Sequence, residues 1–116
     1  MLYPMIPIDD AQGIITHYAG RFAKATKLER AAVWQSCIHD FRLGSYLWHA
    51  ERAELVGKTV WWLVPKHISR ANWHEIYQGQ VVEVLKENVF EVQAGRKRVL
   101  VRLNRIVAFA GNKKPL

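Results

Sequence analysis

The chain has 116 residues, half of them apolar, which is enough for one compact domain with a core and too few for two independent domains. Its formal net charge is +7, and no apolar run reaches the roughly 18 residues that a membrane span requires. The apolar start is interrupted by Pro4 and Pro7 and carries no basic leader or small-residue cleavage site, so it does not resemble a secretory signal. We therefore expect a cytoplasmic protein that has no membrane partner.

Two helices are predicted in the first part of the chain. Apolar residues from Asp9 to Ala25 recur at the spacing of one helix face, and Asp9 with Gln12 resembles a capping pair. Thr26 followed by Glu29 is a clearer capping box for a second helix, which Gly44 would end. The predicted buried faces are Ala11, Ile14, Ile15, Tyr18, Ala19 and Phe22 in the first helix and Leu28, Ala31, Trp34, Ile38 and Phe41 in the second.

The segment after Gly44 has two interpretations. Ser45 could cap a third helix through YLWHAERAELV, closed by Gly57, or the second helix could continue through Gly44 at a cost of about 1 kcal/mol. Both interpretations give a helical lobe of two or three helices that covers residues 1–56.

From residue 57 onward, short β-branched and aromatic runs separated by turn residues predict five strands. They are KTVWWLV, which Pro65 would end, then QVVEVLK, VFEVQA, KRVLVRL and IVAF. Residues 65–79 are expected to form a long loop, with turns near Asn88 and at Gly95. Because neighbouring strand residues face opposite sides, one of Trp61 and Trp62 should enter the core of these strands and the other should meet the helices.

The order of these segments, VGKTVWW, GQVVEV, VFEVQAG and KRVLVRLNRIVAF, resembles an SH3-like small barrel of the KOW, Tudor or Hfq type over about residues 57–110. The pattern is most similar to the C-terminal Tudor-like module of ProQ-type RNA chaperones. The resemblance implies a five-stranded antiparallel barrel in the lobe of residues 57–116. With the helices predicted before it, we expect an α+β fold in which N-terminal helices pack on this barrel. Barrels of this class bind RNA, DNA or peptide tails, so the resemblance alone does not assign a function.

The net charge is concentrated at the C-terminal end. Residues 1–91 contain ten basic and ten acidic residues, whereas residues 92–116 contain seven basic residues and no acidic one. Clustered cations attract phosphate over a distance and release counterions on contact, so this asymmetry favours a polyanionic partner. A basic end that serves only solubility is the alternative.

The strand KRVLVRL would carry much of this charge. Alternation along a strand points Val99 and Val101 to one side, and Arg98, Leu100 and Arg102 to the other. Guanidinium groups offer a planar fork to phosphate, but charges also protect an exposed edge strand from pairing, and both interpretations stay open. The candidate nucleic-acid-binding residues of this strand and its flanking turns are Arg96, Lys97, Arg98, Arg102 and Arg105.

The predicted loop of residues 65–79 adds a second basic and aromatic group. Lys66 and Arg70 would hold a nucleic-acid backbone, while Trp73 or Tyr77 could stack on an unpaired base. The alternative for Trp73 is that it covers the open end of the barrel or docks the helices.

The residue pattern does not favour catalysis. The five histidines include no pair at ligand spacing on one helix, and neither a glycine-rich phosphate loop nor a nucleophile elbow is present. Cys37 is the only cysteine, which excludes an internal disulfide, and it is expected to be a buried thiol rather than a nucleophile. We expect no enzymatic activity, no cofactor and no bound metal.

Two functions follow from these patterns. The leading hypothesis is a non-catalytic module that binds RNA or DNA through its basic strand edge and its aromatic and basic loop. The alternative is a protein–protein adaptor or inhibitor from a mobile element that docks through an aromatic-rich surface, since Trp and Arg dominate interface hot spots and the chain has five Trp. Self-association through a barrel edge is a third hypothesis.

Overall fold

A computed structural model describes residues 1–68 and 71–112, which form a curled sheet with two α-helices against it. The helices are α1 (Ile8–Lys24) and α2 (Lys27–Gly44), and short 3₁₀ helices cover Arg52–Leu55 and Leu103–Arg105. The strands are β1 (Leu2–Pro7), β2 (Tyr46–His49), β3 (Thr59–Ile68), β4 (Ala71–Lys86), β5 (Val89–Ala94), β6 (Lys97–Arg102) and β7 (Ile106–Gly111). Their order in the sheet is β2-β1-β7-β3-β4-β5-β6.

The α+β class is confirmed, but the predicted five-stranded antiparallel SH3-like barrel is wrong. The described residues form one seven-stranded mixed sheet, because two further strands come from the segment predicted to be helical. β1 runs parallel to β7, with Met5 opposite Phe109, and β2 extends the sheet by pairing antiparallel with β1. β2 and β6 are its two edges.

The two predicted helices are confirmed, and their first turns differ in capping. At α2, the Glu29 backbone N–H donates to Thr26 Oγ1 at 3.3 Å, and the Thr26 hydroxyl donates to Glu29 Oε1 at 2.9 Å. Thr26 is therefore the expected N-cap of α2, with its hydroxyl rather than its backbone N–H bonded to the Glu29 carboxylate. The cap expected from Asp9 is wrong, because α1 begins directly after β1 with Pro7 at its N-cap and no side-chain hydrogen bond there.

The buried face of α2 is rotated from the predicted one. Val33, Cys37 and Phe41 are buried, whereas Leu28, predicted on the buried face, is 82% exposed. The sheet covers only the side of α2 that carries Cys37, so apolar spacing alone did not identify the covered side.

The predicted third helix is wrong, because Tyr46–His49 forms β2 and only Arg52–Leu55 makes a 3₁₀ turn. Tyr46 lies opposite Met5 and Trp48 lies opposite Tyr3 in the β1–β2 pair. A strand partner more than 40 positions away along the chain makes this segment extended, and aromatic residues suit that state.

The predicted opposite placement of Trp61 and Trp62 is confirmed. Trp61 belongs to the helix-side core, where its ring centroid lies 5.7 Å from that of Phe41. Trp62 belongs to the inner core of the curled sheet, together with Phe90 and Phe109. The sheet therefore has apolar contacts on both faces.

The predicted long loop of residues 65–79 is wrong, because β3 and β4 pair continuously from Thr59 opposite Gln80 to Ile68 opposite Ala71. β7 pairs with β3 only at Val60–Trp62, so one side of β3 is unpaired at Pro65, where a missing N–H is tolerated. Helix α2 packs against β4, so both faces of β4 carry contacts. The segment therefore lacks the regular alternation of apolar and polar residues that would have predicted a strand.

The later strands follow the prediction closely. β5 and β6 are separated by a turn at Gly95, whose φ of +61° is one that glycine adopts without steric cost. A turn at residues 87–88 precedes β5, and a 3₁₀ helix connects β6 to β7. Across residues 1–68 and 71–112, neither helix combines the length and the hydropathy needed to cross a membrane.

Candidate nucleic-acid interface

An open cleft lies where β6 and the following 3₁₀ helix face β3 and β4. Its volume of about 690 Å³ is within the usual range for sites that hold small ligands. We call it the basic cleft, and its lining includes Trp62, Val64, Tyr77, Lys97, Arg102 and Arg105.

The cleft exists because the sheet curls without closing between β6 and β3. Both strands turn apolar side chains toward the inner core, including buried Trp62 on β3 and buried Val101 on β6. Val64 and Val99 pack against the same core but are only partly buried. The end of the inner core is thus an apolar floor that a ligand can reach.

Three cationic residues line this apolar floor. Lys97 and Arg102 come from the two ends of β6, and Arg105 comes from the 3₁₀ helix that follows. All three side chains are exposed, the lining includes no Asp or Glu, and none of the three forms an ion pair within residues 1–68 and 71–112. Their charges are therefore available to an anion.

Lys66 lies beside the cleft and contacts one of its lining residues. Its Nζ is 5.0 Å from the centroid of the Tyr77 ring, a cation–π distance. Hydrogen bonding to the Tyr77 side chain raises the pKa of Lys66, so this amine is charged at neutral pH. Tyr77 is 37% exposed, and its ring meets that of Trp62 edge-on at 6.3 Å.

Trp73 does not line the basic cleft. It borders a separate groove with Leu28 and Ala31 of α2, and its indole N–H donates to Glu75 Oε2 at 3.0 Å. The structure thus places Trp73 beside the helices, as the alternative interpretation of this residue expected. Arg70 falls outside the described residues.

Arg98 does not line the cleft, and its charge is paired. Its Nη1 lies 3.3 Å from Glu91 Oε1, and its Nε donates to Gln93 Oε1 at 3.2 Å, both on the neighbouring strand β5. The expected alternation along β6 is confirmed. The side chains of Arg98, Leu100 and Arg102 are exposed, whereas Val99 and Val101 face the inner core. Arg96 is exposed in the turn before β6. Of the five basic candidates at the C-terminal end, the structure brings together three, Lys97, Arg102 and Arg105.

Trp62 and Asn104 line the cleft but were not among the sequence candidates. Trp62 was assigned to the core, because no sequence signal shows that the core opens beside it. Asn104 lies between Arg102 and Arg105 in the 3₁₀ helix, and its position as a polar turn residue among cations was the signal that could have identified it.

The cysteine lies in a separate, apolar environment. Cys37 is buried in the helix-side core, and burial raises the pKa of its thiol to about 12. A thiol with that pKa is almost entirely protonated near pH 7 and is a poor nucleophile. Among the described residues, no three His, Cys, Asp or Glu side chains gather as a metal site would require.

Comparisons with protein-family profiles, with curated proteins and with solved structures found no match to this chain.

Proposed function

We propose that this protein is a non-catalytic nucleic-acid-binding module that holds RNA or DNA in the basic cleft. The observation that supports this proposal is the presence of Lys97, Arg102 and Arg105 around an apolar, aromatic floor without an acidic residue in the lining. Clustered, exposed positive charges raise the local concentration of polyanions and increase their rate of association with the site.

Nucleic acid matches both parts of this cleft. Its phosphates would meet the two guanidinium groups, each of which can donate two parallel N–H hydrogen bonds to a pair of phosphate oxygens. Its bases would contact the apolar floor, whereas a simple inorganic anion has no apolar surface that could do so. Arg98, whose charge is paired with Glu91, would contribute little.

The proposal is tested by fluorescence anisotropy of labelled single-stranded and duplex probes over a series of salt concentrations. Neutralised phosphates release counterions, so the logarithm of the affinity should fall linearly with the logarithm of salt. The double variant R102A/R105A should bind more weakly, and its salt slope should be smaller by about two, one for each lost phosphate contact.

The matched control is R30A/R42A, which removes the same charge from exposed positions on α2 that do not line the cleft. It should keep the wild-type salt slope to within about one unit. Absence of binding at low salt would remove the proposal, and equal losses in the two double variants would remove the assignment to the cleft.

A protein-docking function is the second candidate, and the sheet edge at β2 favours it. Leu47 is 66% exposed and Trp48 is 48% exposed on this edge strand. A partner strand that paired with β2 would place its own side chains beside Leu47 on one face and Trp48 on the other, and would satisfy the free backbone groups of the edge.

Capture from nuclease-treated host lysate distinguishes the two candidates. If a protein partner binds at β2, it should be retained by wild type and by R102A/R105A and lost from the double variant L47A/W48A. A protein that is lost equally from all variants after nuclease treatment reached the chain through nucleic acid, and that result would contradict the docking function.

A further inference from the structure

Tyr77 is an aromatic residue of the basic cleft with an accessible ring. It is 37% exposed, whereas Trp62 beside it is 5% exposed and serves as floor. The edge-on contact with Trp62 at 6.3 Å packs Tyr77 against the floor at one side. An aromatic ring held in this way offers a face to a flat ligand without needing to be reoriented.

A cation covers that ring in the unliganded protein. The Lys66 ammonium is 5.0 Å from the Tyr77 centroid, where it interacts with the π-face. Lys66 lies opposite Trp73 in the β3–β4 pair, beyond the rows that line the cleft, so its flexible side chain can reach toward the cleft opening. This contact places a positive charge over the Tyr77 ring beside the cleft.

We infer that the basic cleft selects an unpaired nucleobase, which stacks on Tyr77 as Lys66 leaves the ring and contacts a phosphate. This inference rests on the proposed function and names the form of nucleic acid that the site takes. A duplex presents phosphates on its outside and keeps its base faces stacked inside, so it could engage Lys97, Arg102 and Arg105 but not Tyr77. A single strand can engage both.

The test compares two probes that carry the same phosphates. One is a short labelled oligothymidylate, and the other is a strand of equal length built from abasic spacers. Stacking of one base corresponds to an affinity difference of about 5- to 150-fold, so the oligothymidylate should bind more tightly by that factor. The salt slopes of the two probes should agree, since their charges agree.

Variants assign this preference to one ring. Y77F keeps the aromatic face and should keep the preference for the base-bearing strand, whereas Y77L keeps apolar bulk without a π-face and should lose it. K66Q should lower the salt slope by about one and keep the preference. W73L is the matched control, because Trp73 borders the α2 groove and not the cleft, and it should behave as wild type in this comparison.

Each outcome decides the inference. Equal, salt-dependent affinity for the two strands overturns base selection while the proposed function stands. Absence of binding to either strand overturns both. A base preference that survives in Y77L but is lost in W73L moves the stacking residue to Trp73 and contradicts the inference. A variant that loses affinity for both probes and also loses cooperative thermal unfolding has lost the fold. In that case the Y77F and K66Q results decide whether Tyr77 selects the base.

Discussion

Gly79 shows at residue scale how closely the strands of the curled sheet approach one another. A Cβ atom at this position would lie 2.5 Å from the carbonyl oxygen of Gln93 and 2.7 Å from Cγ1 of Val92. Both are atoms of β5, and Trp62 of the cleft floor lies 3.1 Å away on another side. The close contact between β4 and β5, on which the cleft wall depends, therefore requires glycine.

Substitution of Gly79 by Ala should lower the free energy of unfolding by about 2 kcal/mol, because the new methyl group meets backbone that cannot move independently. The measurement is urea-induced unfolding followed by tryptophan fluorescence. Gly13→Ala is the matched control, since nothing lies within 4 Å of its added Cβ in α1 and the helix should gain about 1 kcal/mol. Equal stability of Gly79→Ala and wild type would show that the strands are not packed this closely.

The basic residues show what residue type alone can and cannot predict. Alternation correctly placed Arg98 and Arg102 on the outer side of β6, yet their surroundings differ. Arg98 is tied to Glu91 by the β5–β6 register, while Arg102 lines the cleft without an ionic partner in the described chain. Sequence spacing gives the side of a strand, but the neighbouring strand decides whether the charge is free.

At the scale of elements, local sequence signals were sufficient to predict the helices and strands whose ends depend on contacts a few residues apart. The N-cap at Thr26 marks the start of α2, and the turn at Gly95 marks the boundary between β5 and β6. These features depend on contacts a few residues apart, so they are legible in the sequence. The bounds of α1, β5 and β6 were accordingly close to those observed.

Elements that depend on distant partners were not predictable in this way. β1 is extended because it lies between β2 and β7, although Pro4 and Pro7 disfavour that assignment. Pro4 pairs with Leu47 of β2 and lies outside the Met5–Pro7 stretch that pairs with β7, while Pro7 is the last residue of that stretch, opposite Gly111. These strand partners are set by the tertiary fold and not by the local sequence. The tertiary fold likewise made strands of the segment after Gly44, which has a helical pattern, and of the segment before Gly79, which was predicted to be a loop.

At the scale of the whole molecule, part of the positive charge that is concentrated at the C-terminal end of the sequence gathers around the basic cleft. Five of the seven basic residues in positions 92–116 lie within the described part of the chain; three of these, Lys97, Arg102 and Arg105, line the basic cleft, and Arg96 and Arg98 do not. The candidate site was therefore predictable as a region and as a charge type. Its aromatic floor was not, because the inner face of the sheet exists only after β3, β4 and β6 have curled together.

The most direct test is NMR titration of the ¹⁵N-labelled protein with a short single-stranded oligonucleotide, at low and at raised salt. We expect the amide and arginine Nε resonances to shift most at Tyr77, Lys97, Arg102 and Arg105, and these shifts should diminish as salt is raised. Shifts confined to α1 or to the β2 edge, or no shift at saturating oligonucleotide, would contradict this expectation.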